Sequence, residues 1–156
     1  MDIKKIKILR QKLRVLERES QDFADPQSDC CGLTLSQCHT LLEIGERGEI
    51  SLVNLAAAMK LDTSTLSRTI QGLVTIGLVN RTASAKDRRR VEISLTEQGR
   101  KVYDQIEGTF NAYFARVLEF VPADKQDAIL NGFVIFAEAL ERASEQARCC
   151  REGVLP

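Results

Sequence analysis

The middle of this chain carries a dense basic run that leads directly into a strand-like segment. Lys, Asp and three Arg occupy positions 86–90, and Val-Glu-Ile-Ser-Leu-Thr follows at 91–96. The alternation of apolar and polar residues in 91–95 is typical of a half-buried β-strand, and residues 78–82 supply a second strand candidate. We therefore predict a β-hairpin whose tip, residues 83–90, is strongly basic.

Two helices are predicted immediately before this hairpin. Ser51 is a suitable N-cap for a short helix, and residues 60–62 form the turn after it. Asp62 or Thr63 then caps a second helix, which runs to about Ile76 and is ended by Gly77. The residues that the short helix turns inward are Leu52, Leu55, Ala56 and Met59.

The second of these helices has one apolar and one polar face. Leu66, Ile70 and Leu73 recur at helical spacing on the apolar face. The polar face carries a single charge and consists of Ser64, Ser67, Arg68 and Gln71. Hydroxyls, amides and Arg are the side chains that contact base edges and phosphates. Such a helix beside a basic hairpin is typical of a winged helix-turn-helix, which contacts two grooves of DNA.

The predicted DNA contacts come from this helix and from the hairpin tip. Arg89 is expected to enter the minor groove, where narrow A·T-rich segments concentrate negative potential. Asp87 would repel phosphate, so we expect it to pair with a neighbouring Arg and orient the wing. The alternatives are a solvated basic turn and, for Ser64 or Thr65, support of the helix start alone. The candidate DNA-binding residues are Ser64, Thr65, Ser67, Arg68, Gln71, Arg88, Arg89 and Arg90.

The charge distribution favours an anionic partner although the net charge is zero. Residues 60–101 hold nine Lys or Arg against four acidic residues, a balance of +5, which leaves −5 on the remainder. A basic module on an acidic scaffold binds phosphate on one side. Double-stranded DNA is therefore the expected partner.

Long amphipathic helices are predicted around this central module. Residues 4–24 form the first, and a second begins near Thr34, which forms a capping box with Gln37. Thr96 caps a long fifth helix, and Pro122 lies in the first turn of a sixth that extends to about Ala147. The predicted inward residues are Leu35, Cys38 and Leu42 on the second helix, Val102, Ile106, Phe110 and Phe114 or Val117 on the fifth, and Ile129, Phe133, Phe136 and Leu140 on the sixth. The fold is thus mainly α with a small β-hairpin.

Four segments carry a family resemblance: residues 52–56, 63–68, 77–79, and 87–99 with the pattern D-x-R followed by S-L-T-E-x-G. They resemble the MarR family of winged-helix regulators. The resemblance implies one domain over 1–156, with a DNA-binding lobe at 31–100 and dimerisation helices at 1–25 and 118–148. It further implies a homodimer on a palindromic operator, because a two-fold dimer places its recognition helices about one duplex turn apart.

The resemblance implies a transcriptional repressor that a small effector or thiol or metal chemistry releases from DNA. An effector pocket would be lined by Phe23, Leu42, Phe110 and Phe114, although an ordinary packed core explains these residues equally well. No cofactor is required for such a function.

The cysteines offer a second route to regulation. Cys38 is interpreted as a small core residue, and His39, the only His, as an ordinary surface or core residue. Close thiolates suit soft metals, metalloids or redox exchange, whereas the alternative is incidental exposed thiols. The candidate effector or redox thiols are the adjacent pairs Cys30 with Cys31 and Cys149 with Cys150. The identity of any bound metal stays open.

Several other classes are disfavoured by the sequence. The chain contains no apolar run of about 18 residues and no signal-peptide pattern at its start, so we expect a cytoplasmic protein without a membrane partner. It contains no Gly-rich phosphate loop or H-E-x-x-H motif, and Cys38 and His39 point to different sides of a helix, so we expect no enzyme. A thiol enzyme or metal-storage protein is therefore a weak alternative. A winged helix that binds only proteins is the main one, and the basic hairpin argues against it.

Overall fold

The computed structural model describes residues 2–24, 32–83 and 91–152. The described helices are α1 (Ile3–Ala24), α2 (Leu35–Arg47), α3 (Leu52–Ala58), α4 (Thr63–Thr75), α5 (Glu97–Glu119) and α6 (Ala123–Glu152). The described strands are β1 (Ile50–Ser51), β2 (Val79–Ala83) and β3 (Val91–Leu95). The predicted fold class, mainly α with a small hairpin, is confirmed. The chain divides into two compact units, residues 1–109 and 110–156, whereas the predicted lobe and dimerisation boundaries stay predictions.

Side-chain caps fix where three of the helices begin. The Thr34 hydroxyl accepts a hydrogen bond from the Gln37 backbone N–H at 3.3 Å, and the Gln37 side chain accepts one from the Thr34 N–H at 2.9 Å, which confirms the capping box of α2. Ser51 caps α3 by accepting from the Asn54 N–H at 3.2 Å. Asp62, rather than Thr63, caps α4. Each cap satisfies an N–H that the first helical turn leaves without a partner.

A three-stranded antiparallel sheet has β3 at its centre, in the order β1-β3-β2. Val79 pairs with Leu95 and Ala83 with Val91 along the hairpin, whereas Ile50 of β1 pairs with Ile93. Strand β2 begins at Val79, one residue later than predicted. The loop between β2 and β3, residues 84–90, lies outside the described residues.

The core of the first unit lies between this sheet and helices α2, α3 and α4. Helix α4 packs against α2, α3 and β2, and its three predicted apolar residues, Leu66, Ile70 and Leu73, are each 0% exposed. The other buried apolar side chains are Leu33, Leu41, Ile44, Leu55, Ala56, Leu78, Val79, Ile93 and Ile106. Burial of so many Leu and Ile side chains holds α4 in place, because each contributes about 1.5–3 kcal/mol.

The predicted inward face of α2 is only partly correct. Leu35 is 42% exposed, and Cys38 and Leu42 are half-buried. The buried residues of the helix are Thr40, Leu41 and Ile44 instead. Thr40 is tolerated in the core because its hydroxyl donates to the Ser36 carbonyl at 2.7 Å, so no buried polar atom is left without a partner there.

The apolar stripe predicted to face inward on α5 is confirmed in its first half, since Ile106 is 2% exposed and Val102 and Phe110 are half-buried. Its second half and most of the α6 stripe are exposed in the single chain. Phe114 and Val117 are 54% and 41% exposed, and Ile129, Phe133 and Leu140 are 47–61% exposed, whereas Phe136 is half-buried. The described residues of one chain do not cover these exposed side chains, which is why the prediction of inward faces fails for them. Helix α6 also continues to Glu152 rather than ending near Ala147. None of the described helices is long and apolar enough to cross a bilayer.

Candidate nucleic-acid interface

The outward face of α4 is polar and exposed, as predicted. Ser64, Thr65, Arg68 and Gln71 are exposed and Ser67 is half-buried. Arg68 makes no ion pair with any other described residue. Its guanidinium, which carries only donors, is therefore available to an external acceptor such as a phosphate or a guanine edge.

Asp62 organises the start of this face. One oxygen of its carboxylate, Oδ1, accepts hydrogen bonds from the Thr65 N–H at 2.8 Å and from the Ser64 hydroxyl at 2.5 Å. Hydrogen bonds from the Ser64 and Thr65 side chains, then from the Thr65 backbone, hold the pKa of Asp62 far below its ordinary value. The carboxylate is therefore charged at neutral pH. Ser64 therefore supports the start of the helix through its bond to Asp62, which is the alternative role predicted for it.

The far end of α4 is joined to the start of α5 by a short hydrogen-bonded connection. Gly77, with a φ of 77°, ends the turn after α4 in a conformation that favours glycine. The Thr96 hydroxyl donates to the Gly77 carbonyl at 2.7 Å and accepts from the Gly99 N–H at 2.9 Å. The Thr96 N–H donates to the Leu78 carbonyl at 3.0 Å. Thr96 thus caps α5, as predicted, and also fixes the chain that follows α4.

A second close contact holds α2 against α5. A Cβ placed on Gly45 would lie 2.1 Å from the Tyr103 ring, so the two helices approach closely only because Gly45 lacks a side chain. Arg100 donates to the Gly45 carbonyl at 3.2 Å, and its guanidinium lies 5.0 Å from the Tyr103 ring centroid. Loss of solvent, followed by the charge of Glu107, raises the pKa of Tyr103. This contact fixes α5 relative to the helices that support α4.

The remaining predicted site residues are only partly described. The wing residues Asp87, Arg88, Arg89 and Arg90 and the pair Cys30 and Cys31 lie outside the described residues. Cys149 and Cys150 fall on the last turns of α6, but their side chains, like that of Phe23, lie outside the description. Their predicted roles stay predictions.

The other predicted sensor residues have known exposures. Leu42 and Phe110 are half-buried, and Phe114 is exposed. His39 is exposed. Across the part of the chain that the structure describes, His, Cys, Asp and Glu side chains form no cluster suited to a metal ion.

Sequence reasoning missed several contributors to this surface. Arg81 is exposed on β2, the edge strand that leads into the wing, and its Cα pairs with that of the buried Ile93. The run Leu-Val-Asn-Arg-Thr at 78–82 was interpreted only as a strand, although a cation on the approach to a basic loop was the available signal. The hydrogen bond from the Ser64 hydroxyl to Asp62 was also not predicted. The sequence indicated Asp62 as a helix cap and Ser64 as a DNA contact, and neither role by itself implies a bond between the two side chains.

Taken together, two helices joined by a tight turn, an exposed polar face on the second helix and a following antiparallel hairpin define a winged helix-turn-helix of the DNA-binding class. The model of the MarR family matches residues 33–91, which run from just before α2 to the first residue of β3. Over this segment the chain is similar to the MarR family.

Individual relatives agree with this assignment. The transcriptional repressor MdtR of Bacillus subtilis is 25% identical over 115 residues, which are 74% of this chain and 74% of that protein. The uncharacterised HTH-type regulator YfiV of the same species is 25% identical over 114 residues, 73% of this chain and 71% of YfiV. These relatives are named as regulators, in agreement with the prediction that the chain is not an enzyme.

Solved structures show the same fold at low sequence identity. FabT of Streptococcus pneumoniae, determined in complex with DNA, has a TM-score of 0.74 at 19% identity, with 91% of this chain and 99% of FabT covered. A MarR regulator from Methanosarcina mazei has a TM-score of 0.72 at 24% identity, with 86% and 98% covered.

Proposed function

We propose that this protein is a homodimeric repressor that binds a palindromic DNA operator through α4 and the wing. The observation that carries the proposal is the exposed face of α4, on which Arg68 projects from a helix whose opposite side is fully buried. A rigid helix with adaptable polar side chains outward is suited to the major groove. The name of MdtR supports repression as the outcome, and FabT in complex with DNA supports the mode of binding.

The exposed apolar side chains of the terminal helices support the dimer. On α6, Phe133, Val134 and Ile135 are 57–68% exposed, and Phe120, between α5 and α6, is 86% exposed. On α1, Ile3 and Ile8 are 79% and 58% exposed. Exposed apolar side chains in such number indicate an interaction site, and a second copy of the chain would cover these helices.

The wing and the regulatory chemistry complete the proposal. Arg88, Arg89 and Arg90 contact DNA, with Arg89 in the minor groove, and Asp87 orients the loop. The repressor needs no cofactor, and it is released by a small effector or by modification or metal binding at the paired cysteines. It acts in the cytoplasm, where its operator DNA is accessible.

Two arginine substitutions test this function. Duplexes are first enriched from a random pool by the wild-type protein, and affinities are then measured by fluorescence anisotropy at several salt concentrations. Arg68→Ala and Arg89→Ala should each weaken binding by about 1–3 kcal/mol if the side chain reads a groove. Arg47→Ala, which removes the same charge from the far end of α2, is the matched control and should bind as the wild type does.

The salt dependence separates DNA binding from other modes. If each protomer neutralises about three to five phosphates, the affinity falls by about 0.9 log unit per phosphate for each log unit of salt. A protein that enriches no duplex and passes through heparin at low salt would instead be a protein-binding winged helix, and the proposal would be abandoned.

A further inference from the structure

The side chains at the start of α4 differ from Arg68, on the same outward face, in whether they accept or donate hydrogen bonds. A serine hydroxyl has one proton to donate and two lone pairs to accept with. The Ser64 proton is already used, because the hydroxyl donates to Asp62 Oδ1 at 2.5 Å. What Ser64 offers to an outside group is therefore its lone pairs alone.

The Asp62 carboxylate has the same limitation. Its Oδ1 also accepts from the Thr65 N–H, and the group is exposed to solvent. An ionised carboxylate cannot donate a hydrogen bond. The Ser64 and Asp62 side chains therefore form a negatively charged, acceptor-only surface at the start of α4, whereas Arg68, one turn further along, presents only donors.

Phosphate oxygens and most base edges cannot pair with such a surface. Phosphates are anionic acceptors, and the major-groove edges of guanine and thymine present acceptors but no donors. Cytosine N4 and adenine N6 are the exocyclic amino groups that donate in the major groove, and Asp or Glu commonly accepts from cytosine N4. Of the four bases, these two alone offer the donors that the Ser64 and Asp62 side chains require in the major groove.

We propose that Asp62 is a specificity-determining residue: by holding the Ser64 proton, it makes the first turn of α4 an acceptor that selects a cytosine or adenine amino group in the operator. The inference rests on the proposed function of DNA binding and deepens it. It assigns opposite tasks to neighbouring positions, since the start of α4 selects an amino-bearing base and Arg68 contacts a guanine edge or a phosphate. It also assigns a role to the negative charge of Asp62, which repels the phosphate backbone from this turn.

The test measures affinity for every single-base-pair variant of the enriched operator half-site. Ser64→Ala removes the acceptor but leaves Asp62 able to cap α4 through the Thr65 N–H. Wild type should prefer cytosine or adenine at one position of each half-site, and Ser64→Ala should lose about 5- to 10-fold of discrimination at that position alone. Thr75→Ala, which removes another exposed α4 hydroxyl at the far end of the helix, is the control and should leave every preference unchanged.

A base analogue that lacks the exocyclic amino group sharpens the test. Placed at the preferred position, it should weaken binding of the wild type and leave binding of Ser64→Ala unchanged. A loss with Ser64→Ala that is equal for all sequences would indicate a phosphate contact and would overturn the inference. So would a preference for guanine or thymine at the position that Ser64 controls, or no change at all.

Asp62→Asn provides a second, independent variant. Asn caps helices about as well as Asp but carries no charge. Asp62→Asn should bind random-sequence duplex more tightly than wild type and should discriminate less between bases at the same position. If neither its affinity for random duplex nor its base preference changed, the inference would be contradicted. If wild type binds no duplex specifically, the proposed function fails as well. If Arg68→Ala abolishes specific binding while Ser64→Ala weakens binding to all sequences equally, only the present inference fails.

Discussion

Substitution of Gly99 tests whether the joint between α4 and α5 is as close as the structure indicates. A Cβ at Gly99 would lie 1.9 Å from the Leu78 carbonyl oxygen and 2.9 Å from its carbon. Both atoms belong to the backbone, so no side chain can rotate away to relieve the contact. In Gly99→Ala, the N-terminal turn of α5 must therefore move away from Leu78.

The size of the effect follows from three contributions. Forcing a methyl group into a packed site costs about 1–3 kcal/mol. Loss of the Thr96 N–H to Leu78 hydrogen bond adds about 0.5–1.5 kcal/mol, and the higher helix propensity of Ala returns about 0.5–1 kcal/mol. We expect the free energy of unfolding of Gly99→Ala to fall by about 0.5–4 kcal/mol.

The control lies on the same helix. A Cβ at Gly108 would meet no atom within 4 Å, so Gly108→Ala should gain up to about 1 kcal/mol from helix propensity alone. Both variants are compared with wild type by urea unfolding followed by circular dichroism, at one fixed protein concentration because dimerisation shifts apparent stability. If Gly99→Ala were as stable as Gly108→Ala, the close approach of α5 to Leu78 would be refuted.

Two further predictions concern α2 and Asp62. Gly45→Ala should lower stability by about 1–3 kcal/mol, because its Cβ would overlap the Tyr103 ring, and Tyr103→Leu in the same chain should restore part of the loss in thermal unfolding; no rescue would mean that the ring is not the obstacle. Because the pKa of Asp62 is lowered in the folded state, its contribution to stability is complete above the unfolded pKa of about 3.9 and is lost as pH falls below it. The difference in unfolding free energy between wild type and Asp62→Asn should therefore stay constant from about pH 5 to 8 and change below about pH 4; a difference that changed between pH 5 and 8 would contradict this assignment.

Local features were predictable from the sequence because their causes are local. The caps at Thr34, Ser51 and Thr96 depend on side chains within three residues of the N–H groups they satisfy. The buried stripe of α4 follows from the spacing of Leu and Ile, and the β3 strand follows from simple alternation. Periodicity and capping therefore gave the order of elements and the exposed face of the recognition helix.

Features that depend on distant parts of the chain were not predictable in the same way. The inward face of α2 was only partly predictable. Hydrophobicity favours burial of Leu35 over Thr40, but Thr40 is buried because its hydroxyl bonds to the Ser36 carbonyl within the same helix. The requirement for glycine at positions 45 and 99 arises from contacts with Tyr103 and Leu78, which are far away in sequence. The apolar stripes of α5 and α6 were assigned correctly as stripes, but a pattern does not tell which molecule covers them.

The bridging hydroxyl of Thr96 has a mechanical consequence. This hydroxyl bonds both to the Gly77 carbonyl, just after α4, and to the Gly99 N–H in the first turn of α5. A tilt of the first turn of α5 is therefore transmitted directly to the end of α4. For the proposed repressor, this means that an effector that tilts the first turn of α5 acts on α4 without touching the DNA-binding surface. In that proposed repressor, loss of the Thr96 hydroxyl would uncouple α5 from α4, so that the protein would stay on its operator even with the effector bound.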